Sequence, residues 1–443
     1  MARRACYLKR PAMTSPIWHP FTQHGLGEPI PKVVRAQGAV LHLEDGRTLI
    51  DGISSWWVTT HGHCHPRIAA AIAAQAQALD QLIFAGYTHD PAEEVARSLV
   101  ELAPRAEGRD ALSRVFFSDS GSTAVEVALK MALGYWHNRA LDGLSAPRHR
   151  ILVLEHGYHG DTIGAMSIGE RGVYNAAWAP LLFDVGTIPF PHPGREGETL
   201  AALEAACTAP EKPAALIVEP LVLGAGGMLI YAPAVLRDMA AICARHDVLF
   251  IADEVMTGWG RTGTLFACEQ AGVVPDIMAV AKGITGGALP LAATLATSRI
   301  FDAHYSTDRA RLFYHSSSYT ANAIACAAAA ANLAIWREED VLGRIAALSQ
   351  GMAQRLSALA GRPAFENPRQ LGAIAAIDLV TADAGYLSDL APRLRAFFLD
   401  RGILLRPLGN TIYLMPPYCL DSDQLDLIFA ALAQAGDAFA IPA

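Results

Sequence analysis

The sequence predicts an α/β protein whose larger part is a mostly parallel sheet covered by helices on both faces. Between residues 70 and 325, short apolar runs alternate with segments that carry helix signals. Two of these runs, 248–252 and 277–281, each end in one ionisable residue, Asp253 and Lys282. Short apolar runs bounded by turn residues are typical of buried strands in a parallel sheet. Charges that follow such strands lie where open α/β sheets bind their ligands.

The amino-terminal residues predict the start of a second, smaller unit. Residues 1–35 are proline-rich and irregular, whereas residues 39–51 have the apolar runs and central glycine turn of a β-hairpin. Residues 53–65 form a predicted loop that is dense in Ser, Trp, Gly and His. A helix should begin at Pro66, because a proline in the first turn loses no helical hydrogen bond.

The later elements continue the alternation and then change character. After Asn322 an alanine-rich helix should reach about Trp336, and the remaining residues predict a separate α+β unit. We therefore predict a large domain at 69–325 and a small discontinuous α+β domain at 1–68 and 326–443. Between them the pattern predicts helices at 66–78, 91–102, 123–138 and 233–246, and strands at 115–119, 151–155, 215–219 and 291–297.

Composition limits the classes of partner. The formal net charge of −8 argues against nucleic acid as a partner. A hydrophobic content of 52% with only 18% charged residues indicates a large intersubunit surface, and we expect a homodimer. No run of about eighteen strongly apolar residues predicts a membrane span. The amino terminus lacks the apolar core of a signal peptide, and seven scattered cysteines fit a reducing compartment, so the expected location is cytoplasmic.

One histidine cluster resembles a set of metal ligands. It consists of His61, His63 and His65, and no second cluster follows at a ligand spacing. Structural metal sites in proteins usually combine two such clusters. The sequence therefore predicts no metal.

Lys282 is the lysine whose context indicates chemistry. Lysine occurs at only five positions, and only Lys282 follows a core strand and precedes a glycine turn. Burial lowers the pKa of an amine and makes it a nucleophile able to form a Schiff base. Asp253, facing a pyridine nitrogen, would keep that nitrogen protonated, as pyridoxal phosphate requires. The alternative is an Asp–Lys ion pair at a strand edge.

A serine-rich turn lies between the predicted strand at 115–119 and the helix that follows. Glycine permits a tight turn, and the first N–H groups of a helix point at whatever anion lies there. Ser120, Gly121 and Ser122 would together hold a phosphate. The alternative is that serine simply caps the helix.

Two further strand ends carry polar residues. Tyr158 follows the strand at 151–155 and could lie flat on a pyridine ring, while Asp161 could face a substrate amine. Alternatively, the tyrosine only covers the edge of the core. Glu219 could orient a cofactor hydroxyl, pair with Arg261, or be a solvated acid at a strand end.

These stretches together resemble the class III pyridoxal-phosphate aminotransferases of fold type I, over nearly the whole chain. The resemblance implies that Lys282 binds the cofactor, Asp253 faces the pyridine nitrogen, and Tyr158 stacks on the ring. A loop of the other subunit usually completes the phosphate site in this family. The matching motifs are DEV at 253–255, GWGRTG at 258–263, PD at 275–276, KG at 282–283, SGS at 120–122 and YHG at 158–160.

The segment at 315–320 departs from the family pattern. It reads HSSSYT where His-Gly-Pro-Thr is more usual. A hydroxyl remains available to the phosphate, and Ser317, Ser318 and Thr320 are equally open candidates. We place Ser317 and Ser318 in the cofactor site and Ser316 beside the substrate.

Three other stretches, 18–22, 51–57 and 412–418, resemble the members of the class that act in biotin synthesis. The resemblance implies conversion of 8-amino-7-oxononanoate into 7,8-diaminononanoate. Flat apolar walls suit its long aliphatic chain, and a guanidinium suits its terminal carboxylate. Arg406, which would supply this guanidinium, could instead be a surface arginine, and Trp56 and Trp57 could instead be ordinary core residues. The expected substrate-binding residues are Phe21, Trp56, Trp57, Tyr158, Asp161, Lys282, Ser316, Arg406 and Tyr413.

The amino donor stays open at the level of sequence. Relatives that use S-adenosylmethionine usually carry tyrosine at the position of Phe21, and relatives that use lysine tend to carry phenylalanine. Both donors are therefore retained. Three other activities also remain: an ω-amino acid aminotransferase acting with pyruvate or 2-oxoglutarate, an aminomutase, and a catalytically inactive binding protein.

Overall fold

The computed structural model describes residues 15–382 and 384–440 of the chain. Within them, strands and helices alternate through the middle of the sequence, as predicted. The strands are β1 Val33–Gln37, β2 Val40–Leu43, β3 Thr48–Asp51, β4 Leu112–Ser118, β5 Ile151–Leu154, β6 Gly186–Ile188, β7 Ala215–Val218, β8 Val222–Leu223, β9 Leu229–Ile230, β10 Leu249–Asp253, β11 Ile277–Val280, β12 Ala292–Thr297, β13 Phe365–Leu371, β14 Ile374–Leu379, β15 Ile403–Leu404 and β16 Thr411–Leu414. The helices are α1 Ser54–Trp57, α2 Pro66–Ala78, α3 Asp90–Leu102, α4 Gly121–Leu141, α5 Ile163–Ser167, α6 Glu196–Thr208, α7 Pro233–Arg245, α8 Cys268–Ala271, α9 Ser298–His304, α10 Ala323–Glu338, α11 Val341–Ala360, α12 Leu390–Asp400 and α13 Ser422–Phe439.

A seven-stranded sheet forms the centre of the molecule, in the order β4-β12-β11-β10-β7-β5-β6. The pairs β6–β5, β5–β7, β7–β10 and β10–β11 are parallel, and only β12 runs against its neighbours. Strands β5, β7, β10 and β11 are buried along their whole length. Burial on both faces explains why they are continuously apolar, and the predicted mostly parallel α/β sheet is confirmed.

The register of the central strands brings their carboxyl ends to one edge. Val218 lies opposite Ala252, and Asp253 lies opposite Ala279. The carboxyl ends of β7 and β10 therefore lie at the same level of the sheet. Lys282 then comes two residues after the end of β11. This edge of a parallel sheet is where ligands bind.

Two smaller sheets are built from both ends of the chain. The order β1-β2-β3-β15 joins residues 33–51 to residues 403–404, and β13-β14-β16 forms the other sheet. The predicted hairpin at 39–51 is confirmed, whereas residues 33–35, predicted to be irregular, begin β1. The parallel pairing of β3 with β15 supports a discontinuous small unit. The division at residues 68 and 326 stays a prediction.

Local sequence rules account for most of the helix ends. Helix α2 has the predicted bounds, with Pro66 in its first turn. Helix α4 starts two residues before the predicted start, because Ser120 and Thr123 form a capping box. None of the helices in the part of the chain that the structure describes combines the length and apolarity that crossing a membrane requires.

Candidate active site

Two adjoining cavities open at the carboxyl ends of the central strands, and Trp57, Tyr158 and Lys282 line both. The inner cavity, of about 550 Å³, is lined by Trp57, Gly121, Ser122, Tyr158, His159, Gly160, Glu219, Asp253, Val255, Met256 and Lys282. The outer cavity, of about 980 Å³, is lined by Pro20, Phe21, Trp56, Trp57, Tyr158, Asp161, Tyr174, Ala225, Lys282, Tyr386, Arg406, Pro407, Leu408 and Tyr413.

Lys282 lies at the junction of the two cavities, directly after β11. Its backbone has a positive φ of 48°, and its Nζ atom lies 4.8 Å from the centroid of the Trp57 ring. Burial lowers the pKa of this amine to about 8, although the charges of Asp253 and Glu219 act in the opposite direction. The lowered pKa therefore makes the neutral, nucleophilic form of the amine more abundant near neutral pH than it is in an exposed lysine.

Asp253 also lines the inner cavity and is held there by a histidine. Its Oδ2 lies 2.7 Å from Nδ1 of His159, and its Oδ1 accepts the N–H of Val255 at 3.1 Å. Burial opposes a charge on His159, but the hydrogen bond and charge of Asp253 prevail and raise the pKa of the imidazole. His159 was not among the predicted site residues. Among the described residues no ion pair joins Asp253 to Lys282, so the alternative of a simple strand-edge pair is wrong.

The start of α4 forms one wall of the inner cavity. Gly121 and Ser122 line it, and their N–H groups have no carbonyl of their own helix to bind. Ser120 instead lines a neighbouring opening beside Lys282, and its hydroxyl accepts the N–H of Thr123 at 3.3 Å. The capping role considered as an alternative therefore describes the contacts of Ser120, whereas Gly121 and Ser122 face the cavity.

Glu219 supports the wall that carries Tyr158. Its carboxylate accepts the N–H of Tyr158 and the N–H of Gly224, both at 3.0 Å. Burial raises its pKa to about 7. The predicted options of a solvated acid and of a pair with Arg261 are both wrong, because Glu219 is buried and the Arg261 guanidinium donates to three backbone carbonyls, those of Pro416, Trp57 and Thr59.

The predicted substrate residues other than Ser316 all line the outer cavity. The Arg406 guanidinium lies 5.1 Å from the Trp56 ring centroid and donates to the Phe21 carbonyl at 3.1 Å. The Phe21 ring contacts Trp56 edge-on, with 5.5 Å between centroids. Tyr413 accepts a hydrogen bond from the Trp57 indole at 3.0 Å. The cavity therefore combines aromatic walls with one guanidinium.

Two tyrosines of the outer cavity were missed at the level of sequence. Tyr174 and Tyr386 line it, with ring centroids 4.6 Å apart. Neither follows a strand or belongs to a recognised motif. No local signal in the sequence could have identified them, because they meet only when segments over two hundred residues apart are brought together.

A buried carboxylate, Asp51, fixes the tryptophan-bearing turn. It accepts the N–H of Ile53 at 3.1 Å and the N–H of Ser55 at 2.6 Å. Within this turn Ser54, Ser55 and Trp57 have positive φ values of 52°, 62° and 66°. Such backbone conformations cost free energy and persist only where the surroundings impose them. The predicted loop at 53–65 therefore contains a strained turn whose strain positions Trp57.

The histidine cluster has hydrogen-bond partners of its own. His61 Nε2 lies 2.9 Å from the Asn332 amide oxygen, and burial lowers the pKa of His61 to about 3. His63 Nε2 lies 2.7 Å from the Asp51 carboxylate. The first two histidines therefore serve to pack and fix the turn that follows Trp57.

The serines at 316–318 do not line either cavity of their own chain. The Ser317 hydroxyl donates to the Asp119 carboxylate at 2.5 Å, and the Gln81 amide donates to the Ser318 carbonyl at 2.8 Å. Ser316 donates only to the neighbouring carbonyl of Ser317. The structure therefore does not bring these serines to the two cavities within one chain, and their contact with phosphate or substrate stays a prediction.

The residues of the inner cavity fit pyridoxal phosphate. A Cβ atom on Gly121 would lie 2.6 Å from Val255 Cγ1, and a Cβ on Gly160 would collide with the Ser122 side chain. The wall is thus shaped for backbone to approach a ligand, as a phosphate at a helix start requires. Asp253 and Lys282 both line this cavity, where the carboxylate would face the ring nitrogen and the amine would face the aldehyde. Lys282, Asp253, Gly121 and Ser122 would hold these parts of the molecule.

Comparison with known proteins gives a consistent result. A sequence model described as aminotransferase class-III matches residues 23–435. The adenosylmethionine-8-amino-7-oxononanoate aminotransferase of Synechococcus elongatus is 49% identical over 429 residues, which cover 95% of this chain and 98% of that protein. The enzyme of the same name from Mycobacterium leprae is 40% identical, with 94% of each chain covered.

Solved structures agree with these sequence matches. The crystal structure of the adenosylmethionine-8-amino-7-oxononanoate aminotransferase from Methanocaldococcus jannaschii superposes with a TM-score of 0.90 at 31% identity, covering 96% of this chain and 98% of that chain. An omega transaminase from Pseudomonas jessenii in complex with PMP gives a TM-score of 0.86 at 26% identity, covering 95% and 96%.

Proposed function

The chain belongs to the class III aminotransferases, a pyridoxal-phosphate-dependent family of fold type I, and on this premise we propose its substrates. The proposed reaction aminates 8-amino-7-oxononanoate to 7,8-diaminononanoate, with S-adenosylmethionine or lysine as amino donor. One observation carries the proposal: the outer cavity joins aromatic walls to the Arg406 guanidinium and ends at Lys282. A long aliphatic oxo-acid has the matching parts, an apolar chain, a carboxylate and a reacting carbonyl.

We propose that Lys282 moves the protons of the reaction. Bound pyridoxal phosphate supplies an aldehyde that accepts an amino group and a ring that takes up negative charge. With a pKa of about 8, the Lys282 amine can take a proton and return it near neutral pH. The role is supported by its position, because Lys282 lines both the inner and the outer cavity, where cofactor and substrate would meet.

In the proposed reaction Asp253, oriented by His159, keeps the ring nitrogen of the bound cofactor protonated. The Asp253 carboxylate lines the inner cavity and lies 2.7 Å from the imidazole of His159. A negative charge beside a pyridine nitrogen favours its protonated form. His159 would thus act as a positioning residue, because its imidazole orients the Asp253 carboxylate.

Arg406 and the aromatic walls orient the oxo-acid. A guanidinium binds a carboxylate through two parallel hydrogen bonds, and contact with the Trp56 ring holds its plane. Trp56, Trp57 and Tyr158 exclude water from the aliphatic chain.

We also propose that the protein is a homodimer in which each chain supplies a hydroxyl to the other's phosphate site. The serines at 316–318 line neither cavity of their own chain, which supports their use in the partner subunit. The hydroxyls considered are those of Ser317, Ser318 and Thr320.

A donor and acceptor panel tests the proposed reaction. Purified protein loaded with pyridoxal phosphate is incubated with 8-amino-7-oxononanoate and, in separate reactions, S-adenosylmethionine, lysine, alanine or glutamate. Mass spectrometry should detect 7,8-diaminononanoate with S-adenosylmethionine or lysine only. Amination of pyruvate or 2-oxoglutarate by an ω-amino acid, without formation of the diamine, would instead support the ω-amino acid alternative.

A further inference from the structure

A third cavity, here the side cavity, adjoins the outer cavity. It has a volume of about 610 Å³ and lies between the segment 156–175 and Gly226. Tyr158, Asp161, Tyr174 and Ala225 line both the side cavity and the outer cavity. We take the two cavities as the two directions in which the rest of a ligand whose amine reaches Lys282 would extend.

The two directions differ in charge. The outer cavity carries the Arg406 guanidinium, which suits a carboxylate. Asp161 lines both cavities, and the side cavity adds the carboxylate of Glu170 and the imidazole of His156. The neighbouring Arg171 turns away, since its guanidinium donates to the carbonyls of Met166, Ser167 and Phe183.

Glu170 is fixed through its backbone, and its carboxylate is left accessible. Its N–H donates to the Gly157 carbonyl at 2.9 Å, and its carbonyl accepts from the Asn175 amide at 2.7 Å. The carboxylate lies 3.1 Å from His156 Nδ1, and its side chain is 44% exposed. A carboxylate placed in this way can form an ion pair with a cationic group of a ligand without a movement of the backbone.

We propose that the side cavity binds the distal cationic group of the amino donor and that Glu170 recognises its charge. The inference rests on the proposed function, because it assumes one site that serves a donor and an oxo-acid in turn. The donor would be an amine with a second positive charge several bonds away, either a sulfonium or an ammonium. The acid would extend toward Arg406 and the donor toward Glu170, which lets one lysine serve two unlike molecules.

The test pairs a variant with ligands that differ in one charge. The holoenzyme carrying Glu170→Gln is compared with the unaltered holoenzyme in the donor half-reaction, followed by the absorbance of the bound cofactor. The ligand pairs are lysine with norleucine and S-adenosylmethionine with S-adenosylhomocysteine. In the variant, kcat/KM for lysine or S-adenosylmethionine, the cationic member of each pair, should fall roughly three- to tenfold, the size expected for a partly exposed charge pair. The value for norleucine or S-adenosylhomocysteine, the member without that charge, should be unaffected.

Two further variants make the result specific. Glu211→Gln removes the same charge from an exposed position that lines none of these cavities, and it should change neither member of a pair. Val173→Trp, at a half-exposed position of the side cavity, should obstruct the donor and slow the S-adenosylmethionine reaction more than the lysine reaction. If Glu170→Gln lowers both members of each pair equally, or neither, the proposal is overturned.

The oxo-acid half-reaction separates this proposal from the proposed function. Amination of 8-amino-7-oxononanoate by the aminated enzyme should have the same kcat/KM in the Glu170→Gln variant. If the unaltered enzyme fails to aminate that acid, the proposed function fails, while the charge dependence of the donor reaction still decides the role of Glu170. The ligand pair that reacts identifies the donor as the sulfonium or the ammonium compound.

Discussion

At the scale of the residue, the chemistry depends on how few charges surround Lys282. Burial is the largest influence on its pKa, and the acids Asp253 and Glu219 only partly offset it. Asp253 is at the same time engaged with His159, at 2.7 Å. The lowered pKa of the amine, beside the carboxylate of Asp253, is the combination that an aminotransferase needs.

We expect Lys282→Ala to bind pyridoxal phosphate and to lose turnover by roughly three orders of magnitude or more, because it removes both nucleophile and general base. Steady-state kinetics measures the loss, and the absorbance of the bound cofactor should lack the lysine-linked band. Lys212→Ala, which removes an exposed lysine, is the matched control and should behave like the unaltered enzyme. Normal turnover in the Lys282 variant would refute the assignment.

The pKa of Lys282 predicts how the cofactor-free protein takes up pyridoxal phosphate. Only the neutral amine attacks an aldehyde, so the rate should rise with pH below about 8 and level off above it. Well below that pH the slope should approach a factor of ten per unit. Stopped-flow absorbance between pH 6 and pH 9.5 measures the profile. A rate that keeps rising in the same way to pH 9.5 would contradict a lowered pKa.

Arg406→Gln should raise KM for 8-amino-7-oxononanoate by roughly tenfold to a hundredfold, the range expected when a charged hydrogen-bond partner is lost. The donor half-reaction should change much less, because the donor is not expected to extend toward this guanidinium. Arg195→Gln, at an exposed arginine that lines none of the three cavities, serves as the control. An equal loss in both half-reactions would point to a general structural role for Arg406.

At the scale of the element, the start of α4 determines how closely an anion can approach the backbone. Gly121 faces Val255, and Ser122 accepts the N–H of Asp161 at 3.2 Å. The turn after β5 and the start of α4 are thereby locked together. The proposed phosphate site is thus formed by two elements in contact, and either alone would be an ordinary turn.

We expect Gly121→Ala to weaken pyridoxal phosphate binding by about tenfold, corresponding to about 1.4 kcal/mol. The added Cβ would lie 2.6 Å from Val255 Cγ1, so the helix start must shift. In the double variant Gly121→Ala/Val255→Ala the colliding methyl groups are absent, and binding should largely recover. Fluorescence titration of the cofactor-free proteins measures both affinities. A double variant as weak as the single one would show that the collision is not the cause.

At the scale of the whole molecule, segments from both ends of the chain converge on the central sheet. Arg261 is buried, and its guanidinium donates to the carbonyl of Thr59, in the amino-terminal part of the chain, and to that of Pro416, in the carboxy-terminal part. The amino-terminal segment contributes Phe21 and the carboxy-terminal segment contributes Arg406 to one cavity. The two-domain division remains a prediction, and this convergence supports it.

The proposed dimer predicts complementation between inactive variants. Lys282→Ala and a triple variant with alanine at 316, 317 and 318 should each lose most of their activity. If the serines act in the partner's site, refolding an equal mixture should restore about a quarter of normal activity, because half of the dimers are mixed and each has one intact site.

The control mixture pairs Lys282→Ala with Arg406→Ala. Both residues line the same outer cavity of one chain, so one site of a mixed dimer lacks Lys282, the other lacks Arg406, and neither has both groups. This mixture should therefore recover almost no activity. Recovery in the serine mixture alone would support exchange of serines between the sites, whereas no recovery in either mixture would indicate that the serines act within their own chain.

The sequence by itself determined the alternation of strands and helices and the identity of the residues at strand ends. Asp253, Lys282 and Tyr158 were recognisable because a continuous apolar run is local information, and a polar residue at its end follows from chain geometry. The ends of α2 and α4 were similarly set by a proline and a capping serine.

Only the tertiary structure decided which side chains share a wall and in what state of charge. These contacts join segments that are distant in sequence: His159 with Asp253, Tyr174 with Tyr386, and Glu219 with the N–H of Tyr158 instead of with Arg261. The pKa of Lys282 likewise depends on desolvation by Trp57 and other groups from remote segments. Burial and charge at a point in space are sums over all of the chain that folds around it, and a local pattern does not contain that sum.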